Sequence, residues 1–171
     1  MTQLEDFRRG KDEFFVKDLQ SPLTPEQRQN FRGLNYFPEN PDLRLVLPVE
    51  EFEKKDKIRM PTSTGEVQTY TRYGKIKLAL EGQRVELTVY ASRDGFFLPV
   101  IDGLAGKETY GAGRYLEPAL AGRGKLLVDF NYSYNPYCAY NENWSCPITP
   151  FENRLKIPIR AGEKIFHTES D

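Results

Sequence analysis

Ile76, Leu78 and Leu80 alternate with Lys75, Lys77 and Ala79, and beyond Glu81-Gly82-Gln83 the alternation resumes at Val85, Leu87 and Val89. A period of two gives each segment one apolar face, and a short glycine-containing turn between them folds the pair into a hairpin. The same period recurs at Leu43, Leu45, Leu47 and Val49, where Pro48 marks an edge or a strand end. Val67 to Tyr73 is β-prone, with Gly74 as a turn or bulge, and Phe96 to Ile101 is a strand interrupted by Pro99. Leu126, Val128 and Phe130 oppose Leu127, Asp129 and Asn131, and Leu155, Ile157 and Ile159 read as the last strand. Roughly seven short strands with turn signals predict a mainly β fold, an antiparallel barrel or sandwich. The charged stretch from Glu51 to Pro61 reads as a solvated connection, and from Asp102 to Pro118 no period is visible.

Two short helices precede the strands. Thr2 and Glu5 have capping-box spacing, with Leu4, Phe7, Phe14 and Phe15 at helical intervals. Thr24-Pro25-Glu26-Gln27 starts a second helix that places Phe31 on its inner face and is closed by Gly33. Their phenylalanines are expected in the core. Residues 1–171 are expected to form one domain: a helical flap over 1–37 and a β core over 43–167 that carries a long ordered loop, 131–153.

A net charge of −1 lacks the basic footprint of a nucleic-acid binder. No apolar run approaches the roughly 20 residues of a membrane span, so no membrane partner is expected. The charged N-terminus has no secretory apolar region, which makes the cytoplasm the expected location and reduced thiols the expected state of Cys138 and Cys146.

Between Asp129 and Asn153 no helical or alternating period survives, yet both cysteines, the only tryptophan (Trp144) and a dense set of Asn, Tyr and Pro lie there. An irregular segment this long is either functional or disordered, and its aromatic content argues for an ordered, pocket-lining loop. Familiar motifs fail nearby. Gly106-Lys107 ends like a phosphate-binding loop, but Ile101 stands at its first glycine and Glu108 replaces the Ser or Thr. Gly111-Ala112-Gly113 begins a dinucleotide fingerprint that Leu116 fails to complete. Cys138 and Cys146 lack zinc spacing and only His167 supplies imidazole, so neither metal nor cofactor is expected. Two buried, inert thiols are the plainest reading of the pair. Arg114 either forks onto an anionic ligand or pairs internally with Glu108, Asp129 or Glu152. Asp129 and Glu152 bracket the loop, either as an acid/base pair or as tethers that accept backbone hydrogen bonds.

Together, several blocks carry a resemblance. They are Arg32-Gly33-Leu34, Tyr36-Phe37-Pro38, Gly106 to Gly111, Gly113-Arg114-Tyr115-Leu116, Asp129-Phe130-Asn131, Tyr134 to Asn141, Cys146-Pro147, Glu152-Asn153-Arg154-Leu155 and Ala161 to Lys164. The chain resembles the prokaryotic family catalogued as domain of unknown function 1684. The resemblance spans most of the sequence and implies membership, with no activity attached. Tyr132-Ser133 departs from it, where a basic residue and alanine are expected.

The function expected from these residues is binding of a small molecule, an anionic one where Arg114 serves as clamp, under loops 102–118 and 131–153. Glu108, Tyr110 and Arg114 belong to this expected site, with Asn131, Asn135, Asn141 and Asn153 as polar readers. Tyr115, Tyr134 and Trp144 form its walls. The alternatives are an enzyme, a hydrolase or isomerase using Asp129, Glu152 or Cys138, and a structural or interaction domain in which the loop is a cap.

Overall fold

The computed structural model describes residues 2–167 and is mainly β, with two N-terminal helices and two antiparallel sheets. Helix α1 (Gln3–Lys17) starts at a reciprocal cap: Glu5 N donates to Thr2 Oγ1 and Thr2 N to the Glu5 carboxylate, each at 3.1 Å. Helix α2 (Pro25–Asn30) repeats the device with Thr24 and Gln27, and ends at Phe31, before the expected stop at Gly33. Both starts satisfy backbone donors that the first helical turn leaves free.

The strands are β1 (Arg44–Pro48), β2 (Glu50–Glu51), β3 (Lys57–Pro61), β4 (Val67–Leu80), β5 (Gln83–Ser92), β6 (Gly95–Val100), β7 (Arg114–Leu116), β8 (Ala119–Leu120) and β9 (Lys125–Asp129). One sheet runs β1-β9-β8; the other runs β2-β4-β5-β6-β7, with β3 also paired to β4. The sheets do not close into a barrel. They stack as a sandwich, with Ile76, Leu78, Leu87, Val89 and Leu98 of the larger sheet packed against Leu126 and Val128 of the smaller. The hairpin of β4 and β5 turns at Glu81 and Gly82, whose φ angles of 48° and 77° fit the twist of the flanking strands.

Three sequence expectations are corrected. The stretch 51–61 is not all solvated connection, because β3 pairs with β4 from Lys57↔Thr71 to Pro61↔Val67 and buries Met60. Within 102–118, β7 pairs with β6. The expected strand over Leu155, Ile157 and Ile159 is absent. Bends at Lys156 and Ile157 break any ladder, although Ile159 is still buried in the core. That segment is held by single bonds: Leu155 N to Ile101 O at 2.7 Å, Gly103 N to Ile157 O at 2.9 Å and Ile159 N to Asp102 Oδ2 at 2.8 Å.

Strand alternation decides where the loops go. Leu87, Val89, Leu98 and Leu116 face the sandwich core, so Thr88, Tyr90, Phe97 and Tyr115 face outward. These outward residues are buried too, because loop 131–153 lies over them: Tyr90, Phe97, Tyr115 and Met60 pack with Cys146, Tyr134 and Tyr137. The helical flap then docks on the loop, with Phe15 and Leu23 packed against Tyr140.

Candidate functional site

Loop 131–153 is positioned by polar side chains and short backbone bridges. Asn131 exchanges two hydrogen bonds with the backbone of Asn40, at 2.8 and 2.9 Å. At the far end Asn153 accepts from Thr88 N and donates to Thr88 O, both at 2.8 Å, and donates to Pro99 O at 2.9 Å. Between these pins, Tyr115 and Tyr134 exchange backbone hydrogen bonds at 2.8 and 3.0 Å, which joins the loop to β7. Ser63 N donates to Cys146 O and Ile148 N to Pro61 O, which joins it to the end of β3. The two irregular segments therefore meet on one face of the molecule.

Where they meet there is an open recess of about 480 Å³. Its walls include Tyr115, Tyr134, Tyr137 and Trp144, with Lys11 and Glu117 as the charged groups. The Tyr137 and Trp144 rings meet edge to face at 5.1 Å, and those of Tyr115 and Tyr134 at 6.0 Å. Such contacts fix the rings while leaving their remaining faces to a guest. A second hollow of about 240 Å³ adjoins, sharing Tyr115, Glu117, Tyr134 and Pro147 and adding Tyr70 and Phe97. A trough of about 670 Å³ leads on along β4 and β5, walled by the strand residues Gln68 and Ser92 and the turn residue Asp94, which it shares with the second hollow. Tyr134 Oη donates to the Glu117 carboxylate and Tyr115 Oη to Pro147 O.

Helix α1 supplies one side of the recess. Phe7 and Lys11, four residues apart on one helix face, both reach it, and Phe7 is 46% exposed rather than in the expected core. Lys11 Nζ lies 5.0 Å from the centroid of the Tyr134 ring and 2.6 Å from Oε1 of Glu163, close but poorly aligned for a linear hydrogen bond. Glu163 is buried and its Oε2 accepts from Asn135 N at 2.5 Å and from Tyr140 Oη at 3.0 Å. Lys11 does not stand out in the sequence, and Glu163 does so only within the block Ala161 to Lys164 that carries the family resemblance. The only signal for Lys11 is its helical spacing from Phe7.

Arg114 is not the anion clamp. Its guanidinium is buried and donates to the carbonyls of Ile159, Ala161 and Glu163, with Asp102 Oδ1 at 3.8 Å. The internal reading holds, but with none of the three partners expected. Burial pulls its pKa down, while Asp102 and Glu163 oppose that loss of charge.

The expected polar readers are mainly pins. Asn131 and Asn153 are buried and bonded to backbone, Asn135 donates to Lys164 O at 3.0 Å, and Asn141 accepts from Asn143 N within its own turn. Asp129 and Glu152 do not form a pair. Asp129 accepts from Asn131 N at 3.1 Å with Arg44 3.8 Å away, while Glu152 takes two donors of Arg72 and the Tyr90 hydroxyl. Glu108 lies in a separate hollow beside Tyr36 and Lys164. Of the expected site, Tyr115, Tyr134 and Trp144 share the recess, and Tyr110 lies against Cys138 instead.

Cys138 and Cys146 are free thiols. Cys138 N donates to Cys146 Sγ at 3.2 Å, and the Tyr110 hydroxyl lies 3.8 Å from Cys138 Sγ. The neighbouring Cys146 side chain pulls the Cys138 thiol below its ordinary value, against burial and with help from the Tyr110 and Ser63 hydroxyls. The same contact, with burial, pushes the Cys146 thiol up.

The family model described as protein of unknown function (DUF1684) matches residues 29–164. The chain belongs to the DUF1684 family. It is also similar to the solution NMR structure of an uncharacterized protein from gene locus rrnAC0354 of Haloarcula marismortui. That likeness has 34% identity and a TM-score of 0.71, and covers 95% of this chain and 92% of the other. No curated protein matches the sequence. The DUF1684 match begins beyond α1, so Phe7 and Lys11 lie outside it while the aromatic walls and Glu117 lie within.

Proposed function

We propose that this DUF1684 protein binds a small molecule with a flat, mostly apolar body in the recess between α1, β7 and loop 131–153. The observation that carries the reading is the convergence of Tyr115, Tyr134, Tyr137 and Trp144 on one open hollow whose volume, about 480 Å³, suits a small ligand. Lys11 is already opposed by Glu163, and Arg114 faces carbonyls, so among the described residues the recess offers an anion no free cation. Glu117, exposed at the rim, instead favours a ligand with a hydrogen-bond donor or a positive end. The ligand in this reading is therefore an aromatic amine or a heteroaromatic donor rather than an anion.

Trp144 is the only tryptophan, so its emission reports the recess directly. Titration with tyramine, adenosine and, as the anionic contrast, 4-hydroxyphenylacetate, under selective excitation of the indole, is expected to change Trp144 emission with the first two and to raise Tm, since a ligand of the folded state stabilises it. Tyr134→Ala is expected to abolish the response with unchanged far-UV circular dichroism. A response to 4-hydroxyphenylacetate alone overturns the charge argument, and a response unaltered by Tyr134→Ala removes the recess.

The enzyme reading narrows to Cys138, because Asp129 and Glu152 are each engaged with an arginine. No histidine is placed beside that thiol as a base: His167, the single histidine, contacts Tyr140 O.

A further inference from the structure

We propose that Cys138 and Cys146 are a thiol–disulfide exchange couple, in which Cys138 attacks small disulfides and Cys146 resolves the adduct. The two residues are eight apart in sequence, and the Cys138 backbone N–H donating to Cys146 Sγ at 3.2 Å brings the second sulfur against the first residue. The turn between them is preset: Asn141 N donates to Tyr137 O at 3.1 Å, Trp144 N to Asn141 O at 3.2 Å, and Asn143 N to Asn141 Oδ1 at 3.1 Å. The bridge would therefore close across a turn whose own hydrogen bonds are already formed.

The two sulfurs differ in the way that an attacking and a resolving thiol differ. Cys138 is partly exposed, with the Tyr110 hydroxyl 3.8 Å from its sulfur to stabilise a thiolate. Cys146 is buried in the wall of the recess, its backbone N–H bonded to Ser63 Oγ at 3.1 Å and its carbonyl to Ser63 N at 2.9 Å. A thiolate is the nucleophile in exchange, and a sulfur held ionised by hydrogen bonds attacks at neutral pH.

The reaction balances with a low-molecular-weight disulfide as oxidant. The Cys138 thiolate forms a bond to one sulfur of the reagent, whose S–S bond breaks and releases one thiolate. The Cys146 thiol then gives its proton to that thiolate, and its sulfur attacks Cys138 Sγ. The Cys138–Cys146 bond forms and the second reagent thiolate leaves. The protein loses two electrons and the reagent gains them.

The test uses the reduced full chain and 2-hydroxyethyl disulfide, followed by acid quench and intact mass. The wild-type chain is expected to end lighter by two hydrogens with no adduct, and Cys146→Ser to stop at one mercaptoethanol adduct on Cys138. Cys138→Ser is expected to leave Cys146 unmodified. Two retained adducts on the wild type, or no reaction, overturns the proposal. A second readout needs no cysteine variant. Iodoacetamide at neutral pH is expected to modify Cys138 at least about tenfold faster than Cys146 in the wild type, as thiolate fraction dictates. Tyr110→Phe is expected to raise the pH midpoint of that alkylation, a shift that a purely structural tyrosine does not produce; equal rates at the two cysteines also refute the assignment.

Discussion

Glu163 is 1% exposed and joins three parts of the chain: Lys11 of α1, the Asn135 and Tyr140 groups of the loop, and, through its own carbonyl, Arg114 of β7. A carboxylate this deep is tolerable because donors surround it; with one partner removed, an uncompensated charge remains. Glu163→Gln is expected to destabilise the fold by about 3 kcal/mol, roughly 6–12 °C in Tm, read by thermal unfolding. A change below about 0.5 kcal/mol, the level of an ordinary surface substitution, refutes this role. Glu152 behaves differently because it is half in solvent. The hydrogen bond from Arg72 does most to hold its carboxyl below the usual range; burial opposes it, and the Tyr90 hydroxyl adds a smaller lowering. A carboxyl depressed by folding stabilises the native state above its unfolded value, about 4.3, and that contribution is lost as pH falls through the folded value. Glu152→Gln is expected to reduce the gap between urea midpoints measured at pH 7 and pH 3. An unchanged gap means that Glu152 is not linked to folding.

Among the elements, β4 is the one on which the larger sheet depends, carrying β2 and β3 on one edge and β5 on the other. Its register with β5 shifts between Arg72 and Gly74, at the point where the other edge passes from β3 to β2. A bulge there bends the strand and raises its twist. At Gly74 an added Cβ would lie 2.6 Å from Glu50 O, so β2 can approach only a glycine. Gly74→Val is expected to cost about 1–3 kcal/mol by chemical denaturation and to deprotect the amides of Glu50 and Glu51 in hydrogen exchange. Retained protection there shows that β2 does not need the close approach. Gly74 was legible as a turn or bulge, as were the two capping boxes and the 76–89 hairpin, because each rests on neighbours in sequence. β3 was not legible, since its lysine, arginine and proline resemble a solvated link and its pairing is supplied by β4. The alternation at Leu155, Ile157 and Ile159 correctly reported burial on one side, but burial alone does not make a ladder.

For the whole molecule, the mainly β class and the meeting of two irregular segments could be read from the sequence, whereas the side of the scaffold on which they meet could not. That depends on the outward faces of Thr88, Tyr90, Phe97 and Tyr115 being aromatic or polar enough to accept a second covering layer. Asparagines proved ambiguous for a physical reason: an amide that recognises a ligand and one that pins a distant backbone have the same donors and acceptors. Arg114 is legible as a clamp, but what it clamps is a run of carbonyls near the end of the described chain. The contact between Lys11 and Glu163 joins residues far apart in sequence, so it closes a long loop whose entropy must be offset by packing already in place. The aromatic hollow is thus completed only when α1 docks, and a local opening that releases the helix leaves the strands standing with one wall of the recess gone.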